Sequence, residues 1–141
     1  MIKFEQLPDN IHHRLTPLAN ALEQDSRVVF AYLFGGLAGG QQRPLSDVDI
    51  AVYLNDSANR AEAKLELFST ISDILGTSEL DVVILNGAPL SLAGRVLRRK
   101  RLLVDKEPFV RHRYESVILR EFFDFSIKEG NLFSARYGHG G

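Results

Sequence analysis

The chain has 141 residues, a net charge of −1, 45% hydrophobic and 25% charged residues, which predicts one soluble globular domain spanning 1–141 with a core of ordinary size. A charge so near neutral excludes bulk attraction to nucleic acid or anionic membrane, and the lack of cysteine excludes disulfides and thiolate metal sites. MIKFEQLPDN at the start lacks the apolar core of a signal peptide and no apolar run approaches bilayer length, so a cytoplasmic location without membrane contact is expected.

In chain order, residues 8–24 carry Ile11, Leu15, Leu18 and Leu22 near helical spacing, and Pro17 predicts a kink or break among them. RVVFAYLF (27–34) is a β-branched and aromatic run, read as a buried strand that Gly35 and Gly36 end. SDVDIAVYL alternates, with Val48, Ile50, Val52 and Leu54 on one face of a strand and Asp47, Asp49, Ala51 and Tyr53 on the other. Residues 58–75 predict an amphipathic helix with a buried stripe of Leu65, Phe68, Ile71 and Leu75, capped by Gly76. ELDVVIL (79–85) is a third strand. Pro89 opens a helix to about Lys100, RLLVD (101–105) reads as a short fourth strand, and Pro108 starts the longest helix, to about residue 135. Val110, Tyr114, Val117, Ile118, Glu121 and Phe122 lie along that helix. The order α-β-β-α-β-α-β-α predicts an α/β (α+β) fold with a small mixed sheet, because the first two strands are too close in sequence for a helical crossover.

Two features point to chemistry. Asp47 and Asp49 share a strand face, roughly 6.6 Å apart along the chain, and Asp81 near the start of the third strand joins them if that strand pairs with 48–54. Three converging carboxylates repel each other unless cations neutralise them or a proton is held, and hard oxygen ligands favour Mg²⁺ or Mn²⁺. GGLAGG (35–40) is neither a Walker A loop nor a G-x-G-x-x-G fingerprint. It follows a strand and leads into a helical turn, where glycines let backbone N–H groups approach an anion. Each feature also has an ordinary reading: solvent-facing aspartates on an edge strand, and a tight turn using glycine for positive φ.

Together their spacing is specific. Gly35-Gly36, ten residues (37–46), then Asp47-Val48-Asp49 resembles the nucleotidyltransferase signature Gly-Ser, ten residues, Asp-x-Asp. The flanks YLFG, Gly40 and Ser46-Asp47-Val48-Asp49 match as well, and Asp81 lies where the family places its third carboxylate. Over about 28–105 the chain resembles the polymerase-β-like nucleotidyltransferases. Within them it resembles the minimal nucleotidyltransferase (MNT) antitoxins of HEPN-domain ribonuclease toxin pairs. The resemblance implies transfer of AMP from ATP to a toxin tyrosine hydroxyl. It implies two Mg²⁺ ions, with Mn²⁺ possible in their place, held by Asp47, Asp49 and Asp81, and a nucleotide on Gly35, Gly36 and Ser46. It also implies a hetero-oligomer with the toxin, and no direct contact with nucleic acid is expected. One departure stands in the motif itself: Gly36 replaces the family's serine, and Leu37 and Gly39 stand where basic loop residues are common. That departure keeps a non-catalytic toxin-binding antitoxin as an alternative. A small-molecule nucleotidyltransferase of the aminoglycoside-modifying type is the other, although those usually carry an additional helical domain.

From Arg95 to Arg113 the chain holds eight basic residues against two acids, a local +6. A solvated helix face accounts for this; so do contacts with the nucleotide's phosphates, an acidic partner surface or, least favoured for want of interleaved aromatics, RNA. His12, His13, His112 and His139 lack metal-ligand spacing, and no G-x-S-x-G hydrolase elbow is present. Phe122, Phe123 and Phe125 cannot all face one core, so the last helix is expected to offer some of them to a toxin or a second copy.

Overall fold

In the computed structural model, which describes residues 11–38 and 48–137, a four-stranded mixed sheet is flanked by helices on both faces. The strands are β1 (Val28–Phe34), β2 (Val48–Leu54), β3 (Leu80–Ile84) and β4 (Lys100–Asp105), in the order β3-β2-β1-β4. β1 runs antiparallel to β2 and β4, and β2 runs parallel to β3. The parallel pair requires a crossover, which α3 (Arg60–Leu75) supplies. The other helices are α1 (Leu15–Gln24), the single turn α2 (Gly35–Ala38), α4 (Leu90–Arg98) and α5 (Pro108–Tyr137). The predicted mixed sheet and long final helix are both present.

Alternation in β2 divides the core in two. Val48, Ile50, Val52 and Leu54 pack with Leu18 and Leu22 of α1 and Leu67, Ile71 and Leu75 of α3. On the opposite face Phe30, Tyr32, Phe34 and Ala51 pack with Val96 and Leu97 of α4, and with Val110, Tyr114 and Ile118 of α5. β1 is buried along its whole length, as a continuous apolar run at the middle of a two-faced sheet must be.

Two local expectations need correction, and the last helix gains a facing. The predicted first helix is divided before Leu15, since Ile11–Arg14 form a 3₁₀ turn; Pro17 falls in the first turn of α1, where its missing N–H costs no helical bond. The stripe of α3 is Ala63, Leu67, Ile71 and Leu75, whereas Leu65 is 74% exposed and Phe68 lies near the surface. The strict four-residue stripe begins on a small alanine, so a search for bulky residues picks the neighbouring row. On α5, Val117 and Glu121 face outward while Phe122 turns inward. Gly94 in the middle of α4 explains the last point, because a Cβ there would run into the Phe122 ring; only glycine lets α4 and α5 approach this closely.

Asn59 caps α3 by accepting a hydrogen bond from the Glu62 N–H at 3.0 Å, and Gly76 closes it in the left-handed region. A partly buried polar knot ties α5 to the sheet. Glu115 accepts a hydrogen bond from the Tyr32 hydroxyl at 2.5 Å and pairs with Arg111 at 3.2 Å and Lys100 at 3.4 Å. Arg111 also pairs with Asp105 at 3.0 Å. Burial works against the charged form of Glu115, but the Tyr32 hydrogen bond and the Lys100 and Arg111 charges outweigh it and hold its carboxyl below the ordinary value. Burial, then the Glu115 hydrogen bond, pushes the Tyr32 hydroxyl well above its ordinary range.

Candidate active site

The strand registers align one row of residues across the sheet. Lys100 of β4 lies opposite Phe34, Phe34 opposite Asp49, and Asp49 opposite Asp81. Adjacent strands lie about 4.8 Å apart, so the row spans about 14 Å. All four residues belong to the sheet face covered by α4 and α5, since register partners share a face. The expectation that the 79–85 strand pairs with 48–54 is met, and it brings Asp49 and Asp81 side by side. Ser46 and Asp47, the other predicted site residues of this strand, lie outside the described residues.

Gly35 follows Phe34 directly and shapes the row. Its φ is +77°, and a Cβ there would lie 2.6 Å from the Asp49 Oδ2. The carboxylate therefore packs directly against the Gly35 backbone, in space that a side chain at that residue would fill. Gly36, the next residue, has no positive φ, and a Cβ on it would meet no atom of the described residues within 4 Å. Both glycines open the one-turn helix α2, so the loop enters a helical turn as expected.

Above the row lies a cleft of about 380 Å³, lined by Phe34, Gly35, Asp49, Asp81, Arg95, Arg98 and Arg99. α4 buries Ala93, Gly94, Val96 and Leu97, which turns Arg95, Arg98 and Arg99 outward at its C-terminal end. The basic segment is thereby divided by task. Lys100 and Arg111 serve the Glu115 knot, the Lys106 Nζ donates to the Asp25 carbonyl at 2.7 Å, and three arginines overlook the carboxylates. Sequence reasoning raised a phosphate role for this segment but did not place these arginines in the site. The signal was the local charge alone, and only the return of the chain from α4 into β4, beside Phe34, gives it a location.

Two carboxylates from neighbouring strands at one sheet edge are hard oxygen donors and fit Mg²⁺ or Mn²⁺; a cleft carrying cations opposite them fits a polyanionic substrate. The sequence profile of the family described as polymerase beta, nucleotidyltransferase, matches residues 17–109.

The chain belongs to the polymerase beta nucleotidyltransferase family.

Solved structures agree on the fold. A toxin–antitoxin structure with AMP-PNP has a chain 21% identical to this nucleotidyltransferase, with a TM-score of 0.69, covering 85% of this chain and 96% of that one. A chain of the MntA–HepT toxin–antitoxin gives 18% identity and a TM-score of 0.65 over 88% of this chain and 97% of that one. A complex of a tri-AMPylated HEPN toxin with its MNT antitoxin, from Shewanella oneidensis, gives 18% and 0.64 over 87% and 96%. The nucleotidyltransferase fold here is thus similar to that of MNT antitoxins paired with HEPN toxins. No curated protein sequence matches the chain. Among the described residues no helix is long and apolar enough to cross a membrane.

Proposed function

We propose that this chain is the antitoxin of a HEPN ribonuclease toxin and silences it by transferring AMP from ATP to a toxin tyrosine hydroxyl. The observation that carries this reading is the direct pairing of Asp49 with Asp81 beneath a cleft whose other wall is cationic. Asp47 and Asp49 would hold two Mg²⁺ ions, with Asp81 completing the one nearest the acceptor. When bound, the ions neutralise charge on the phosphates and on the acceptor oxygen. The tyrosine oxygen attacks the α-phosphorus in line. The bond from that phosphorus to the bridging oxygen breaks, pyrophosphate leaves, and the hydroxyl proton passes to the Asp81 carboxylate. Gly35 and Gly36 would offer backbone N–H groups to the β,γ-phosphates, and Ser46 a hydroxyl beside them. Most of the rate enhancement would come from positioning and charge stabilisation.

A protein acceptor is supported by the apolar surface of α5, where Phe123 is 66% and Phe125 48% exposed. Gly36 favours one other reading, a non-catalytic antitoxin that masks the toxin by contact alone. Co-expression with a HEPN toxin encoded beside this chain, followed by intact-mass measurement of the toxin, separates the two. One or more AMP additions on tyrosine with wild type, and none with Asp81→Asn, are expected. A silenced toxin of unchanged mass would establish masking and end the transfer reading.

A further inference from the structure

The loop that ordinarily holds the triphosphate in this signature is short of donors here, with Gly36 in place of serine and Leu37 and Gly39 in place of basic residues. The missing charge reappears on another element. Arg95 and Arg98 stand at i and i+3 on the last turn of α4, Arg99 follows as its C-cap, and all three line the cleft with Asp49 and Asp81. Like charges at these spacings repel one another. Among the described residues Arg95 and Arg99 make no ion pair, and Arg98 lies over the Phe122 ring, 5.9 Å from its centroid. Three guanidinium groups thus converge on one cleft, two of them with no ion pair among the described residues, while Lys100, Lys106 and Arg111 are engaged inside the fold.

Register gives this site a direction. Arg99 immediately precedes Lys100, the partner of Phe34, and Gly35 follows Phe34. Arg99 therefore lies at the β4–β1 end of the row, beside the glycine loop, and Arg95 and Arg98 line the same cleft from the end of α4. The carboxylates occupy the β2–β3 end, with Asp81 outermost. A nucleoside triphosphate would lie along the row with its β- and γ-phosphates toward Arg95 and Arg99, and the acceptor would approach from the Asp81 side.

We propose that Arg95 and Arg98 of α4, with Arg99 at its C-terminal cap, are the triphosphate clamp of this nucleotidyltransferase, standing in for the serine and cations that the glycine loop lacks. The proposal rests on the nucleotidyl-transfer reading and adds the residues that hold the leaving group. Guanidinium groups suit it because each presents a planar fork of donors to phosphate oxygens.

Isothermal titration of the full chain with ATP and Mg²⁺, and separately with AMP, tests it. The variants are Arg95→Gln/Arg99→Gln and the charge-keeping Arg95→Lys/Arg99→Lys. All four substitutions fall on exposed positions, and far-UV circular dichroism confirms the fold. Loss of two charge-assisted contacts predicts ATP binding weakened at least about tenfold in the glutamine pair, with AMP binding changed less than about twofold and the lysine pair between wild type and glutamine. Unchanged ATP affinity in the glutamine pair overturns the clamp while leaving nucleotidyl transfer standing. So does equal weakening for ATP and AMP. Absence of ATP binding by wild type overturns both.

Discussion

Restoring the missing hydroxyl is a direct probe of the glycine loop. Gly36→Ser adds a side chain where a Cβ meets no atom of the described residues within 4 Å, at a residue without positive φ. The fold should therefore accept it, with a gain of a few tenths of a kcal/mol from lower backbone freedom. A hydrogen bond to a charged group contributes about 1.5–3 kcal/mol. Serine should then tighten ATP binding, or raise the rate of pyrophosphate release at low ATP, roughly ten- to hundredfold. Gly36→Ala supplies the same Cβ without the hydroxyl and should match wild type in both assays. Equal behaviour of the serine, alanine and wild-type proteins would refute the placement of the phosphates beside this loop. A gain in alanine equal to that in serine would refute the hydrogen bond as its cause.

Other outcomes follow from the same geometry. Gly35→Ala forces a left-handed residue to carry a Cβ against the Asp49 carboxylate; it should lower stability by about 1–2 kcal/mol and reduce transfer at least about hundredfold by displacing that carboxylate, measured by denaturant unfolding and initial rates. Glu115→Ala leaves Arg111, Lys100 and Tyr32 facing an empty knot and should cost about 3 kcal/mol, seen as a melting temperature lower by about 10 °C. Because the folded Glu115 carboxyl titrates below its ordinary 4.5, its contribution is complete above pH 4.5 and is lost as pH falls through the lower folded value. The difference in stability between wild type and Glu115→Gln should shrink over that acid range. Phe123→Ser/Phe125→Ser alters exposed residues only and should abolish co-purification of the toxin without changing ATP affinity; intact co-purification would place the interface elsewhere.

What could be read from the sequence was whatever local periodicity and spacing encode. The alternation of SDVDIAVYL placed Asp49 on the face opposite Val48 and Ile50, and the observed two-sided core follows that division. The apolar run around Asp81 marked a strand, and its pairing with β2 brings together Asp49 and Asp81, two of the three carboxylates expected to converge. Small residues carried information that apolar periodicity undervalues. Ala63 begins the true stripe of α3, and Gly94 decides how close α5 can come. The Tyr32–Glu115 bond joins residues 83 positions apart, and no local pattern in a buried apolar strand announces such a partner. Charge was visible between Arg95 and Arg113, but its division between an internal knot and an open cleft is a property of chain path. β4 returns beside β1, and that return carries the end of α4 to the site.

In the proposed reaction, paired carboxylates on β2 and β3 support nucleotidyl transfer to a protein. The most direct measurement is label transfer from α-phosphate-labelled ATP with Mg²⁺ in lysate of the source cells, with wild type beside Asp49→Asn. A labelled protein band of toxin size, present with wild type and absent with the variant, is the predicted result. Label confined to small molecules, or a band of equal intensity with Asp49→Asn, would contradict it.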